Sequence, residues 1–202
     1  MSLLLRGGIA TLGGVLSHLL YFIRGEVFYG GPQVLRVYIT LFLILVVIEC
    51  KISGSGAYHS FLAASYITAV YISSLFSSIV VYRVFFHRLK NFPGPKLARV
   101  TKFQLAWETS FTLDQCLYFE ELRKKYGDFV RTGPNEVTIF TPDAIDEVYG
   151  VKTKCIKASW WEMMWPEVSM ITTRSKEGHA LGRKAWERGF SLSGIWDPLR
   201  EK

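Results

Sequence analysis

Two basic residues near the end of the chain, His179 and Arg183, have the spacing that places two side chains on one face of a helix. A guanidinium binds a carboxylate through charge-assisted hydrogen bonds, so the pair could hold an acidic group of a ligand. On the residues alone, a solvated basic helix face that also carries Lys184 and Arg188 explains the spacing better. The pair becomes a candidate site only if other parts of the chain indicate a ligand.

The cysteines and tryptophans offer less chemistry. Cys50, Cys116 and Cys155 form no Cys-x-x-Cys pair, and their number is odd. A disulfide-stapled secreted domain or a structural zinc site is therefore not expected, and we predict a reducing compartment for the soluble part. Three tryptophans, Trp160, Trp161 and Trp165, could line a ligand site, although buried core or membrane-facing packing is the commoner role.

The front of the chain is built for an apolar environment. Half of the 202 residues are hydrophobic, yet residues 1–86 contain only five of the 24 Lys/Arg and two of the 17 Asp/Glu. Ordinary globular composition begins near His87, so we predict an apolar anchor followed by one small soluble domain. Three apolar stretches lie within the anchor: Gly8 to Ile23, Val37 to Ile48 and Ala57 to Tyr82.

The three stretches differ in strength as predicted membrane spans. The third is long enough to cross a hydrocarbon core of roughly 30 Å. The second crosses only with help from Val34 to Arg36, whose arginine must snorkel to the membrane surface. The first competes with a cleavable signal peptide, although Arg24-Gly25-Glu26 follows it where a cleavage site of small residues is expected. The prediction is a membrane anchor over residues 1–90 with two or three spans.

Positive charge predicts the orientation of the chain. The net charge is +7, and cationic residues gather just after the last apolar stretch: Arg83, Arg88, Lys90, Lys96, Arg99 and Lys102. Because cationic loops stay on the cytoplasmic side, we predict a cytoplasmic C-terminal part that is attracted to an anionic membrane face. Three spans would place the N-terminus in the lumen, and two would place it in the cytoplasm. Elsewhere the charge is mild and interspersed, so nucleic-acid binding is not expected.

The soluble region begins with a stiff linker and continues as short helices around one hairpin. Pro93-Gly94-Pro95 disfavours helix, so we define residues 91–100 as the elbow and expect the last apolar helix to end there. Gly133-Pro134-Asn135 consists of residue types that favour turns. It lies between two short segments in which apolar and polar residues alternate, which predicts a β-hairpin. The predicted elements are a helix over 112–126, strands over 128–132 and 136–141, a helix from Pro142 to Tyr149 capped by Thr141, and a helix over 176–190.

Several segments, taken in order, resemble fungal microsomal cytochrome P-450 sequences. In the soluble region they are Phe92 to Pro95, Lys125 to Val137 (KYGDFVRTGPNEV), Thr141 to Ile145 (TPDAI), Lys154 to Ala158 and His179 to Ser191. Ser17-His18 and Tyr21 to Glu26 are similar to the anchor of such proteins. The resemblance covers roughly residues 15–191 and depends on the order of the motifs, since each is modest alone.

This resemblance implies a fold class that is mainly α with a small β-hairpin: N-terminal transmembrane helices followed by a truncated cytochrome P-450 haem-domain fragment. Residues 101–202 would be the incomplete N-terminal part of that domain. His179 and Arg183 match a pair in the family that contacts the haem propionates, so they become candidate cofactor-binding residues. The resemblance also implies the endoplasmic reticulum membrane as location, a lipid bilayer and a membrane-bound reductase as partners, and oxidation of an apolar substrate in secondary metabolism.

The residues that such chemistry needs are missing from the chain. The iron ligand of the family is a cysteine thiolate in a glycine-rich loop near the C-terminus, and none of the three cysteines matches it. Residues 192–198 also depart from the family pattern. We therefore expect an inactive fragment with no catalytic residue, no metal ligand and no stably bound haem. A non-catalytic membrane protein is the alternative, while an unrelated membrane protein with a basic tail would not explain the order of the motifs.

Overall fold

A computed structural model describes residues 3–23, 30–54, 56–112, 114–150, 153–164, 166 and 169–190. Its helices and strands, in chain order, are α1 (Leu3–Ser17, continued by a π-helical turn His18–Phe22), α2 (Gly31–Ser53), α3 (Ala57–Val81, continued by a π-helical turn Tyr82–Phe86), a 3-10 turn (Leu97–Arg99), α4 (Phe103–Thr112), α5 (Gln115–Tyr126), β1 (Phe129–Gly133), β2 (Glu136–Ile139), α6 (Ala144–Tyr149), a 3-10 helix (Ser159–Met164) and α7 (Lys176–Phe190). The fold is thus mainly helical, with one small antiparallel sheet.

Each predicted apolar stretch is a helix, and all three helices are long and apolar enough to cross a membrane. α1 begins at Leu3 rather than Gly8, and α2 runs from Gly31 to Ser53, well beyond the predicted core of that stretch. Pro32 at the start of α2 and the left-handed Gly54 after its end explain these wider bounds, because proline suits the first helical turn and glycine ends helices. The stretch around Arg24 lies outside the described residues.

α1 and α3 pack closely because small residues face each other. A Cβ on Gly14 would lie 2.6 Å from the carbonyl oxygen of Tyr71, so only glycine permits this approach. Polar contacts continue along the same interface: the Tyr71 hydroxyl donates to Ser17 Oγ at 2.9 Å, and His18 Nδ1 lies 2.8 Å from Ser78 Oγ. The two helices therefore form one unit, held by side chains that would be costly to leave unpaired in lipid.

α2 completes a three-helix bundle with a looser fit. It joins α1 through an ion pair between Arg6 and Glu49 and packs along α3 through an edge contact of Phe42 with Phe61. Between the three helices lies an open cavity of about 990 Å³, lined mainly by apolar side chains from Ile9 to Phe76. The bundle is therefore tight along α1 and α3 and open on the side of α2.

The soluble region contains one more helix than predicted. Residues 103–112 form α4, and Thr112 belongs to it, so the helix predicted to start at Thr112 begins later, at Gln115. Asp114 sets that start, since its Oδ1 accepts hydrogen bonds from the backbone N–H groups of Cys116 (2.9 Å) and Leu117 (3.1 Å). The last apolar helix ends at Phe86, before the elbow rather than within it.

The predicted hairpin is confirmed, with an irregularity in its register. β1 and β2 pair antiparallel, with Phe129 opposite Ile139 and Gly133 opposite Glu136. The predicted alternation is wrong for β1, since Phe129 is exposed and the next four residues are all buried; Ile139 on β2 is exposed as well. The predicted cap at Thr141 is also wrong: α6 begins at Ala144, and a hydrogen-bonded turn over residues 141–145 precedes it.

The final helix is confirmed with its predicted bounds, Lys176 to Phe190. Ser175 explains its start, since its Oγ accepts a hydrogen bond from the N–H of Gly178 at 3.1 Å. The stretch before it, whose sequence shows no clear period, contains the 3-10 helix Ser159–Met164. The departure predicted over residues 192–198 lies outside the described residues.

Candidate functional site

The predicted cofactor pair lies on α7, on one face of the helix. His179 is half-buried, and Arg183, one turn further, is exposed. Arg183 Nε lies 2.8 Å from Glu187 Oε1, so its guanidinium already has an acidic partner on the same helix. This surface pair contributes little stability, and a ligand carboxylate could replace Glu187 at small cost. The donor chemistry fits a propionate, which needs one cation and one further donor.

A second arginine, which the sequence did not single out, is the most buried charged residue among those described. Arg131, on β1, is 0% exposed. Its Nη1 donates to the carbonyl oxygens of Arg83 (3.2 Å) and Leu89 (3.4 Å), and its Nη2 donates to that of Pro134 (2.7 Å). Arg131 Nε donates to Gly133 O at 3.3 Å. One guanidinium thus joins the end of α3, the segment after it and the hairpin turn; we name this set of contacts the junction.

The partners of Arg131 are dipoles rather than anions. Within the described residues no carboxylate forms an ion pair with it. Burial, and then the charges of Arg99 and Arg83, lower the pKa of Arg131 from its ordinary value, although an arginine stays protonated in proteins. The cost of burying it is offset by hydrogen bonds to four backbone carbonyls. One of them, that of Arg83, lies at the C-terminal end of α3 and carries partial negative charge.

His87 completes the junction as a neutral acceptor. It is nearly buried, and its Nδ1 accepts from the Leu89 N–H at 3.2 Å and lies 3.4 Å from Arg131 Nη2. A proton on Nδ1 would face these two donors. Burial and the charges of Arg131, Arg88 and Arg83 accordingly lower the pKa of His87, against a smaller opposing effect of a hydrogen bond with Asn135.

The elbow forms the outer wall of the junction. The Arg131 N–H donates to Pro93 O at 2.7 Å, so the elbow lies against the free edge of β1. A Cβ on Gly94 would come within 2.4 Å of the Arg131 carbonyl oxygen. Glycine is therefore required here for close approach of two backbones. The elbow thus covers the outer edge of β1, while the contacts of the Arg131 side chain at the junction bury one of its faces.

The remaining candidates do not form a site in the described residues. Cys50, Cys116 and Cys155 are all exposed, and no group of His, Cys, Asp or Glu among the described residues could hold a metal ion. Trp160 and Trp161 stack on each other with ring centroids 4.4 Å apart. Trp160 is 47% exposed, so it is not part of a buried core among the described residues, and the ligand-lining and membrane-facing roles stay predictions. Trp165 lies outside the described residues.

One sequence signal could have revealed Arg131. It is a charged residue between two β-branched residues, Val130 and Thr132, in a short predicted strand, and the structure buries all three. Its partners, however, are backbone carbonyls up to 48 residues earlier in the chain, and backbone carbonyls leave no mark in side-chain patterns.

Comparison with known proteins confirms the predicted resemblance. The chain is related in sequence to fungal cytochrome P-450 monooxygenases. It is 42% identical over 133 residues to cytochrome P-450 monooxygenase orf5 of Eupenicillium brefeldianum, covering 65% of this chain and 27% of that protein. It is 32% identical over 198 residues to cytochrome P-450 monooxygenase phqL of Penicillium fellutanum, covering 94% and 34%. It is 31% identical over 193 residues to tryprostatin B 6-hydroxylase of Aspergillus fumigatus, covering 91% and 34%.

Each of these matches covers only part of the relative's length. The chain spans about a third of the length of the curated relatives it matches. No protein-family model matches the chain, and no solved structure gives a significant match. The relationship to the fungal monooxygenases is therefore a relationship of sequence, and it covers most of this chain.

Proposed function

We propose that this chain is the membrane anchor and first part of the haem domain of a fungal-type cytochrome P-450 monooxygenase. The observation that carries the proposal is the junction, where one buried arginine fastens the hairpin to the end of the last apolar helix. Such a connection holds the following domain in a defined position against a membrane. Sequence similarity to the fungal monooxygenases over most of the chain supplies the kind of domain that follows.

The anchoring part of the proposal concerns the three-helix bundle. α1, α2 and α3 cross the endoplasmic reticulum membrane, and the cationic residues after α3 keep the soluble region in the cytoplasm. With three spans the N-terminus lies in the lumen. A lipid bilayer is the first partner of the chain, and in a longer form a membrane-bound reductase is the second.

The cofactor part concerns α7. His179 and Arg183 hold the propionates of haem, which supplies the oxidising chemistry when bound in a full-length protein. Arg183 would exchange Glu187 for a propionate, and His179 would donate a further hydrogen bond from the same face. Neither residue acts on substrate, so their contribution is to orient the cofactor. The oxidation of an apolar substrate in secondary metabolism belongs to the same proposal.

These 202 residues alone are expected to lack thiolate-bound haem. The glycine-rich cysteine loop of the family does not occur in the sequence, and the three exposed cysteines lie in other settings. Expression of the chain in microsomes, followed by a carbon monoxide difference spectrum, tests this. We expect no thiolate-haem band. A band from the chain alone would contradict the assignment of the iron ligand to residues outside it.

Anchoring is tested separately from haem. After alkaline extraction the chain should stay with the membrane pellet, and protease added outside sealed microsomes should digest residues beyond Phe86 while sparing the bundle. Release into the supernatant would contradict the anchor, and complete protection would contradict the cytoplasmic orientation.

A test of the role of α7 requires a longer protein that also includes a downstream segment with the cysteine loop. In that protein, Arg183→Ala is expected to lower the amount of haem retained on purification, while Lys184→Ala, its exposed neighbour, is the matched control. Equal haem content in both variants would contradict the propionate role. The alternative of a non-catalytic membrane protein would be favoured if no extended transcript exists and the 23 kDa product is stable.

A further inference from the structure

The first two apolar helices are joined by an ion pair inside the three-helix bundle. Arg6 lies near the start of α1 and Glu49 near the end of α2, and Arg6 Nη1 donates to Glu49 Oε2. The side chain of Arg6 is 16% exposed and that of Glu49 is 5% exposed. Charged residues that face the interior of a membrane bundle are rare and costly, so this pair calls for a function.

The two charges lie at matching depths when each helix is centred in a bilayer. Arg6 is roughly 10 Å along the helix axis from the middle of Leu3–Phe22, and Glu49 is roughly 11 Å from the middle of Gly31–Ile52. A hydrocarbon core of roughly 30 Å extends further than this on each side of its centre. Both residues therefore lie within the hydrocarbon layer, where each needs the other.

α1 depends on its neighbours for its stability as a membrane span. Four of its residues are glycines, which contribute no side chain to the contact with lipid. Three polar side chains of α1 and its final turn find partners on the other two helices: Arg6 on α2, and Ser17 and His18 on α3. Because polar groups need partners within lipid, α1 is stable across the membrane only when α2 and α3 are in place.

The positive charge of Arg6 opposes the position proposed for it. With three spans, the start of α1 and the end of α2 lie at the lumenal side, whereas cationic residues favour the cytoplasmic side. Lys51 lies at the same end, but it is exposed in the last turn of α2 and its long side chain can reach water. Arg6 is therefore the cation that most needs a partner to reach the lumenal side.

We propose that Glu49 determines the topology of the anchor: by pairing with Arg6 it allows α1 to cross the membrane with the N-terminus in the lumen. Without this partner, Arg6 keeps the start of α1 on the cytoplasmic side, and the anchor has two spans. Acidic residues that lie in loops have little effect on orientation, so the effect requires direct contact of the two side chains. The inference rests on the proposed anchoring of the bundle, and in both topologies the soluble region stays in the cytoplasm.

An engineered glycosylation acceptor reports the side on which the N-terminus lies. The sequence contains no Asn-x-Ser/Thr acceptor, so a polar extension that carries one would be placed before Met1. The full chain would then be synthesised in the presence of sealed endoplasmic reticulum microsomes. The acceptor is modified only in the lumen, so the modified fraction measures how often α1 crosses the membrane.

Three variants separate the ion pair from other effects. Glu49→Leu should lower the modified fraction at least about twofold, because an unpaired Arg6 resists translocation. Combining Arg6→Leu with Glu49→Leu should restore the wild-type fraction, since neither charge remains. Lys51→Leu is the matched control, because it removes a charge two residues from Glu49; its modified fraction should equal or exceed that of the wild type. Alkaline extraction of each variant shows whether α2 and α3 have inserted.

The other outcomes separate this inference from the proposed anchoring. An unmodified wild-type chain that resists alkaline extraction would show that the three-span anchor is wrong, and the role of Glu49 would be overturned with it. If the wild type and Glu49→Leu are modified equally, the three spans stand and the inference alone is overturned. If the double variant stays as low as Glu49→Leu, Glu49 acts through contacts other than Arg6, which also overturns it. Glu49→Gln, which keeps the size of the side chain, replaces Glu49→Leu if alkali extracts the latter.

Discussion

Two arginines in the motifs that indicated the family have opposite surroundings. Arg131 is completely buried and donates to four backbone carbonyls, whereas Arg183 is exposed and pairs with one glutamate on its own helix. The partners of Arg131 all lie within residues 83–134. All the groups that bind Arg131 at the junction therefore lie within this chain. The pair His179 and Arg183 on α7, by contrast, was predicted to bind a ligand that the chain does not itself supply.

The difference separates a part of the chain whose polar groups all have partners from one whose apolar face is uncovered. Buried polar groups need partners at hand, so a residue like Arg131 indicates a unit that is complete. Exposed apolar residues on α7, such as Leu181, Trp186 and Phe190, indicate a face that the described residues leave uncovered. Substitutions at the two arginines and their neighbours can separate these two situations.

The largest effect is expected for Arg131→Met. Methionine fills similar space but leaves the carbonyls of Arg83 and Pro134 without donors and removes one of the two donors to that of Leu89. This should cost about 3 kcal/mol or more of the free energy of unfolding. Pulse proteolysis in urea, with the chain in nanodiscs, measures that free energy. Arg131→Lys should be almost as damaging, since one ammonium cannot reach carbonyls on three segments. A wild-type value for either variant would refute the junction.

The next effect is expected for Gly94→Ala. The added methyl group would approach the Arg131 carbonyl oxygen far more closely than any contact allows, so the elbow must move away from β1. Crowding of this kind costs about 1–3 kcal/mol. Gly56→Ala is the control, because a Cβ there meets nothing within 4 Å. Equal stability of the two variants would mean that the elbow is not held against β1.

A smaller effect should follow from pH through His87. Its pKa is lowered below the ordinary 6.5, so the unfolded chain binds the proton more readily than the folded one. Stability is then full above the ordinary pKa and declines as pH falls below it. Unfolding measured between about pH 7.5 and about pH 5.5 should show this decline, and His87→Gln should remove that part of it. An unchanged pH profile in the variant would exclude His87 as the source.

The smallest effect on stability is expected for Arg183→Ala. An exposed ion pair within one helix contributes little, so the free energy of unfolding should change by no more than about 0.5 kcal/mol. The same pulse proteolysis detects it. A loss comparable to that of Arg131→Met would show that α7 is packed through Arg183, and the contrast between the two arginines would disappear.

The sequence predicted those parts of the fold that depend on local chemistry. Composition located the three apolar helices, and the turn residues around Pro134 located the hairpin. α4 was not predicted, because its apolar residues lie on two faces of the helix. Leu105 is buried on one face, and Phe103, Trp107 and Phe111 are exposed on the other, so no single apolar face stood out. The start of α5 was misplaced because the capping residue, Asp114, was not recognised.

Of the candidate site, the sequence predicted the shared face of His179 and Arg183 but could not predict the junction. Periodicity arguments compare side chains with side chains, and Arg131 is positioned by carbonyl groups that every residue has. Two other misplacements have the same origin. Thr141 was expected to cap α6 and β1 to alternate between buried and exposed residues, but the turn over residues 141–145 and the burial of Arg131 at the junction decided otherwise.

The elbow has one further consequence, which concerns solubility. A strand at the edge of a sheet offers unpaired N–H and C=O groups to any other strand and so invites aggregation. Here β1 pairs with β2 on one side, and on the other its Arg131 N–H is taken by Pro93. Pro93 and Pro95 have no N–H of their own, so they end the hydrogen-bonded ladder rather than extend it. Pro93 and Pro95 thereby protect the β1 edge of the small sheet from pairing with a foreign strand.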